Sequence, residues 1–232
     1  MTLQVLQHTS AEYLGLMEDH LEGRNIRFRY CRPFTGKVAL PKPAEIDQGL
    51  VLLGGGPWGS AGGRDVPTLA AEVELVRAVL ALGKPVVGIG LGAQILSLAE
   101  GGEEEPAPLR FGVGHATRIV PDALEGYLPE SFPFATYMRD WPSPPPGARA
   151  LAQDLEGRIV LWQSRPAAFG FAAHPGIKRA MVEDLVMEFE ENPPDLEAGL
   201  AALRQRQQAI EDALVPIMAG LVRAAGWMGP AA

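Results

Sequence analysis

Two short apolar runs that each stop at glycine constrain this chain most. Residues 50–53 run into Gly54-Gly55-Gly56, and residues 85–89 run into a turn carrying Gly90 and Gly92. Runs of four or five residues without polar alternation suit strands buried on both faces, the signature of a parallel sheet. Between them, residues 67–82 place Leu69, Val73, Val76 and Leu80 at helical spacing, and a helix through Ile95, Leu96 and Leu98 follows the second run. Strand, glycine loop and helix in alternation predict a parallel sheet covered by helices on both faces.

The remaining segments fit around that unit. Residues 3–6 and 25–31 read as strands, and Thr9 with Glu12 reads as a capping box opening a helix to about Leu21. The second half changes character: residues 116–120, 134–137, 150–153, 159–163 and 168–173 predict short, closely spaced strands, some antiparallel, with a proline-rich loop at 142–146. Helices return over 177–191 and 196–225. Without an internal repeat or long linker, the chain reads as one domain over 1–192 with a helical extension over 193–232. In that extension Leu196, Leu200, Leu203, Gln207, Ile210, Leu214, Ile217 and Leu221 alternate four- and three-residue steps, a seam with one polar position. Asp195 suits an N-cap, and Pro216 is expected to kink the helix or end it near Val215. The seam either packs on its own sheet or meets a partner enzyme or a second copy in a homodimer.

Composition closes several classes. The 232 residues carry a net charge of −8 and no basic stripe, which argues against a nucleic-acid partner. No apolar run approaches the roughly 18 residues of a membrane span, and residues 1–6 lack the basic and apolar regions of a signal peptide. The single cysteine, Cys31, cannot form an internal disulfide, so a cytoplasmic location is expected. His8, His20 and His115 show no metal-ligand spacing, and neither metal nor cofactor is expected. Glu103, Glu104 and Glu105 read as a solvated loop, and Trp58, Trp141 and Trp162 as rim and core residues.

Residues 85–98, P-V-V-G-I-G-L-G-A-Q-I-L-S-L, are the most informative stretch. A strand turning tightly into a helix lifts one residue, here Gly90, into a cleft beside the helix N-terminus, usually at positive φ. The segment resembles the G-x-C-x-G-x-Q nucleophile elbow of class I glutamine amidotransferases: Gly88, Gly92 and Gln94 match, and Gly90 stands in the cysteine position. Residues 170–176, G-F-A-A-H-P-G, resemble the family's G-x-Q-F-H-P-E, with His174 and Pro175 matching and Gly176 in the glutamate position. Residues 52–57, L-L-G-G-G-P, resemble the oxyanion-strand loop, and residues 111–119 the I-G-x-x-x-V-x-L segment. The four blocks span roughly residues 3–192 and are similar to stand-alone members related to the amidotransferase domain of GMP synthase, without an S-G-G-x-D-S nucleotide loop.

The resemblance implies a three-layer, flavodoxin-like α/β fold with a mostly parallel central sheet, a small antiparallel addition and a C-terminal helix. It also implies that the chemistry is gone. Glutamine hydrolysis needs a thiolate, a histidine to take its proton and a carboxylate to orient that histidine. Gly90, His174 and Gly176 would be the vestigial triad positions. Cys31 reads as a structural thiol, Ser97 as pointing away from the tip, and Tyr137 as core or rim. Binding would survive through Gly55, Gly56, Leu91 and Gln94, with a small amino-acid-like ligand. The expected function is a binding or partner subunit without glutaminase activity. The alternative is an amidase-type hydrolase using another nucleophile or a group supplied by a partner.

Overall fold

The computed structural model describes residues 2–36 and 39–228. Met1 and the last four residues of the 193–232 extension lie outside them. Eleven strands and five α-helices are present among the described residues. The first half holds β1 (Thr2–Leu6), α1 (Met17–Glu22), β2 (Arg27–Cys31), β3 (Gly49–Leu52), α2 (Leu69–Ala81), β4 (Val86–Ile89) and α3 (Leu91–Ala99). The second holds β5 (Glu104–Glu105), β6 (Arg110–Arg118), β7 (Ser131–Met138), β8 (Trp141–Pro142), β9 (Arg149–Asp154), β10 (Ile159–Arg165), β11 (Ala168–Phe171), α4 (Arg179–Glu188) and α5 (Leu196–Ala224).

Nine strands form one sheet in the order β2-β1-β3-β4-β11-β10-β9-β6-β7. The stretch β2-β1-β3-β4-β11 is parallel, and β10, β9, β6 and β7 continue the same sheet antiparallel. A two-stranded ribbon, β5 with β8, stands apart. Alternation along the buried strands sorts side chains between two layers. Leu50 and Leu52 join Val76, Leu80, Ile95 and Leu96 of α2 and α3, while Val51, Val87 and Ile89 join α1 and α5 on the other face.

Four local expectations need correction. The helix expected from Thr9 begins only at Met17. Thr9 Oγ1 does accept the Glu12 N–H at 3.0 Å, but the Glu12 side chain does not return to the cap; it turns to the Gly54–Gly56 loop. Residues 103–105 are a solvated loop only in part: Glu103 is exposed and outside any strand, and Glu105 is exposed. Glu104 and Glu105 form β5, and Glu104 is half-buried with both oxygens unpartnered, so burial pushes its carboxyl up to about 9. The strand expected at 116–120 runs earlier, over β6. Finally, α5 passes through Pro216 unbroken for 29 residues. An interior proline costs about 3 kcal/mol. Burial of Leu203, Ile210, Leu214, Ile217 and Leu221, at about 1.5–3 kcal/mol each, outweighs it. The seam of α5 therefore faces this chain's own sheet, and Val215 faces outward.

Candidate functional site

The elbow follows from β4 meeting α3 with one residue between. That residue, Gly90, has φ 55° and ψ −115°, where L side chains are strained. Its N–H donates to Phe171 O at 2.8 Å, pinning the tip to the end of β11. The open side is roomy: a Cβ built at Gly90 meets only Gly54 Cα, at an ordinary 3.4 Å. Gly55 lies bare against the Leu91 side chain. As the first residue of α3, Leu91 has no acceptor within the helix. Among the described residues, neither its N–H nor that of Gly55 meets a protein acceptor. The elbow thus keeps two free donors beside its tip.

Three buried titratable groups lie behind the glycine loop, and the motifs in the sequence point to none of them as a site. His8 Nδ1 faces Gly54 O at 3.2 Å and Nε2 faces Glu72 at 2.8 Å. A carbonyl only accepts, so Nδ1 carries a proton; the second nitrogen faces a carboxylate. Burial lowers the His8 pKa, but Glu72 and the Gly54 carbonyl outweigh it and the net shift is upward. His8 Nε2 and Glu72 share one short hydrogen bond, and Thr68 donates to the other Glu72 oxygen at 2.5 Å. Glu12 accepts the Gly56 N–H, and a Cβ at Gly54 would collide with its carboxylate. Burial pushes Glu12 up to about 7, against the lowering influence of Gly56 and His8. Glu12 lies four residues from His8, but Glu72 lies 64 away. The pairing of β1 with β3 sets His8 and Glu12 beside the glycine loop, and α2 carries Glu72 to them.

The second histidine is in the opposite state. His174 follows β11 and is buried. Its Nε2–H donates to Tyr13 O at 2.8 Å, and its Nδ1 accepts the Gly176 N–H at 3.1 Å. One nitrogen must donate and the other must accept, so the ring is fixed as the neutral Nε2–H tautomer, and burial lowers its pKa to about 4. The irregular segment before α1 covers this turn. Leu16 N–H donates to Gly176 O at 2.9 Å, and a Cβ at Gly176 would lie 2.6 Å from Leu14 O and 2.8 Å from Met17 N. No room for a side chain exists at 176.

Gln94 is brought near this region but has no free end. It is fully buried, accepts from Ser60 Oγ at 2.7 Å and donates to Arg139 O at 2.7 Å. Asp140, at φ 60°, completes that corner by accepting from the N–H groups of Ser60, Ala61 and Ala107. Beside it, Arg64 and Arg139 both grip Glu191. Sequence spacing carries no sign of this cluster, since its members come from three separate loops. Cys31, Ser97 and Tyr137 are each held away from activation. Cys31 donates to Ala39 O at 3.6 Å and burial raises its pKa. Ser97 donates to Ser143 O, and Tyr137 is buried with its hydroxyl unpartnered and its pKa raised by burial. Among the described residues no cluster of three or more His, Cys, Asp or Glu could hold a metal, and no helix is long and apolar enough to cross a membrane.

No protein-family model matches the chain. It is similar to a glutamine-hydrolyzing GMP synthase subunit from Ignicoccus hospitalis, 29% identical over 161 residues that make up 68% of this chain and 80% of that protein. A glutamine amidotransferase structure from Methylobacillus flagellatus superposes with a TM-score of 0.80 at 23% identity, covering 96% of this chain and 94% of that one. One from Thermotoga maritima gives 0.81 at 20% identity, covering 97% and 98%. The chain has the α/β, flavodoxin-like glutamine amidotransferase fold.

Proposed function

We propose that this chain is a glutamine amidotransferase-like protein that does not hydrolyse glutamine and serves as a binding or partner subunit. The observation that carries the reading is Gly90 alone at the tip of the β4–α3 elbow, at φ 55° and ψ −115°. A residue without a side chain cannot form a glutamyl thioester. The other two triad positions agree. His174 has both ring nitrogens bonded to backbone groups, and Gly176 offers no carboxylate. The free N–H groups of Gly55 and Leu91 support retained binding of a small amino-acid-like ligand, with Gln94 bracing the wall through Ser60. That the Ignicoccus relative is one component of a synthase supports a partner role. Because the seam of α5 is used inside the chain, a partner would meet the polar outer face of that helix.

The test is ammonia release from glutamine by the purified protein, alongside a Cys31→Ser variant. No release above a no-enzyme control is expected from either. Turnover that survives loss of Cys31 would overturn the non-catalytic reading.

A further inference from the structure

One carboxylate, Glu191, is shared by two guanidiniums. Arg64 Nη1 reaches one of its oxygens at 2.6 Å, and Arg139 Nη2 reaches the other. The arginines are held in place by contacts that do not involve Glu191. Arg139 Nε donates to Pro57 O at 2.9 Å. The Arg64 guanidinium lies 4.8 Å over the Trp58 ring and 5.9 Å from that of Phe189. Glu191 has no comparable anchor. It sits on the irregular stretch between α4 and α5, and its side chain is 39% exposed. The clamp also borders the elbow. Trp58 packs 3.3 Å from where a Cβ at Gly55 would stand, on the same residue that meets Leu91. In a chain of net charge −8, two arginines fixed side by side call for an anion.

We infer that Arg64 and Arg139 form a binding site for the carboxylate of a small ligand, and that Glu191 occupies this site as an internal stand-in until the ligand displaces it. The fork geometry of two guanidiniums on two oxygens of one planar carboxylate defines the ligand class. The Glu191 side chain is 39% exposed and can leave the arginines for water, so a tethered carboxylate lowers ligand affinity without abolishing it. The site would bind whether or not the elbow has chemistry, so the ammonia assay and the binding assay fail independently.

Titration calorimetry with succinate tests the inference. Glu191→Gln is expected to bind succinate about tenfold more tightly than the unaltered protein, because the bound stand-in leaves only a minor fraction of sites open. Glu191→Gln combined with Arg64→Ala is expected to lose that gain, and inorganic phosphate to bind more weakly than succinate. An unchanged affinity in Glu191→Gln, a gain that survives removal of Arg64, or phosphate binding as tightly as succinate would each overturn the assignment. A second measurement needs no variant. Phenylglyoxal modification of Arg64, mapped by mass spectrometry, should be slowed by succinate in the unaltered protein. Equal modification with and without succinate counts against the site.

Discussion

The Gly90 elbow and the His174–Gly176 turn both sit where strands of the parallel region end, yet they have been treated differently by the rest of the chain. At the elbow the space is kept: an added Cβ meets one atom at 3.4 Å, and two N–H groups remain free beside it. At the turn the space is gone: the segment from Tyr13 to Met17 lies over it, and backbone groups occupy both nitrogens of His174. The two buried histidines mark the same contrast. His8, behind the glycine loop, faces a carbonyl and the Glu72 side chain, which raise its pKa, whereas His174 faces one backbone donor and one backbone acceptor, and burial lowers its pKa. A vacant site and a filled site differ in what can be restored. A side chain can return to position 90 at the cost of backbone strain, while at 176 it must expel packed neighbours.

The largest effect should come from forcing the filled site. Gly176→Glu is expected to destabilise the protein by about 3–5 kcal/mol, through overpacking and an unpaired buried carboxylate. Urea denaturation measures it, and a loss below about 1 kcal/mol would show that the segment before α1 yields easily and that the contrast is shallow.

Acid titration sharpens the comparison because the two regions carry opposite signs. His174 has a folded pKa depressed to about 4, below the ordinary 6.5. The unfolded chain takes up its proton first, so stability is lost as pH falls from about 6.5 to 4. Glu12 has a folded pKa raised to about 7, above the ordinary 4.5. The folded chain takes up its proton first, so stability is gained as pH falls from about 7 to 4.5. Each contribution is about 3 kcal/mol, and they largely offset. Glu12→Gln should therefore steepen acid destabilisation between pH 6.5 and 4, and His174→Gln should flatten it. Parallel stability curves for the two variants would remove the distinction.

The smallest effect belongs to the vacant site. Gly90→Cys is expected to cost about 1–3 kcal/mol, the strain of a β-carbon at positive φ. Its thiol stands at a helix N-terminus, which favours thiolate. It should react with iodoacetamide at neutral pH about tenfold faster than buried Cys31, whose pKa is raised. Equal, slow rates would mean that the tip is closed.

Much of the architecture could be read along the chain. The glycine stops after residues 53 and 89 located β3 and β4, and the strand-to-helix step by itself put Gly90 at positive φ. These features are local: a run of apolar residues, a turn that only glycine tolerates and a helical repeat each leave their mark within about ten residues. The direction taken by Glu12 was not local. Thr9 and Glu12 have the spacing of a capping box, and one of its two hydrogen bonds forms, but the buried Gly56 N–H 44 residues away captures the carboxylate. Pro216 likewise predicts a break that five buried side chains override.

By itself, then, the sequence determined the sheet, the elbow and the missing side chains at 90 and 176, because absence of a side chain needs no partner to be true. Tertiary structure alone decided that position 90 stayed open while 176 was filled, that the pKa values of His8 and His174 shift in opposite directions, and that Arg64, Arg139 and Glu191 meet. Each of these depends on which distant backbone donors, acceptors and charges are brought within about 3 Å, and hydrogen bonding and desolvation act over that distance in space, whatever the separation along the chain.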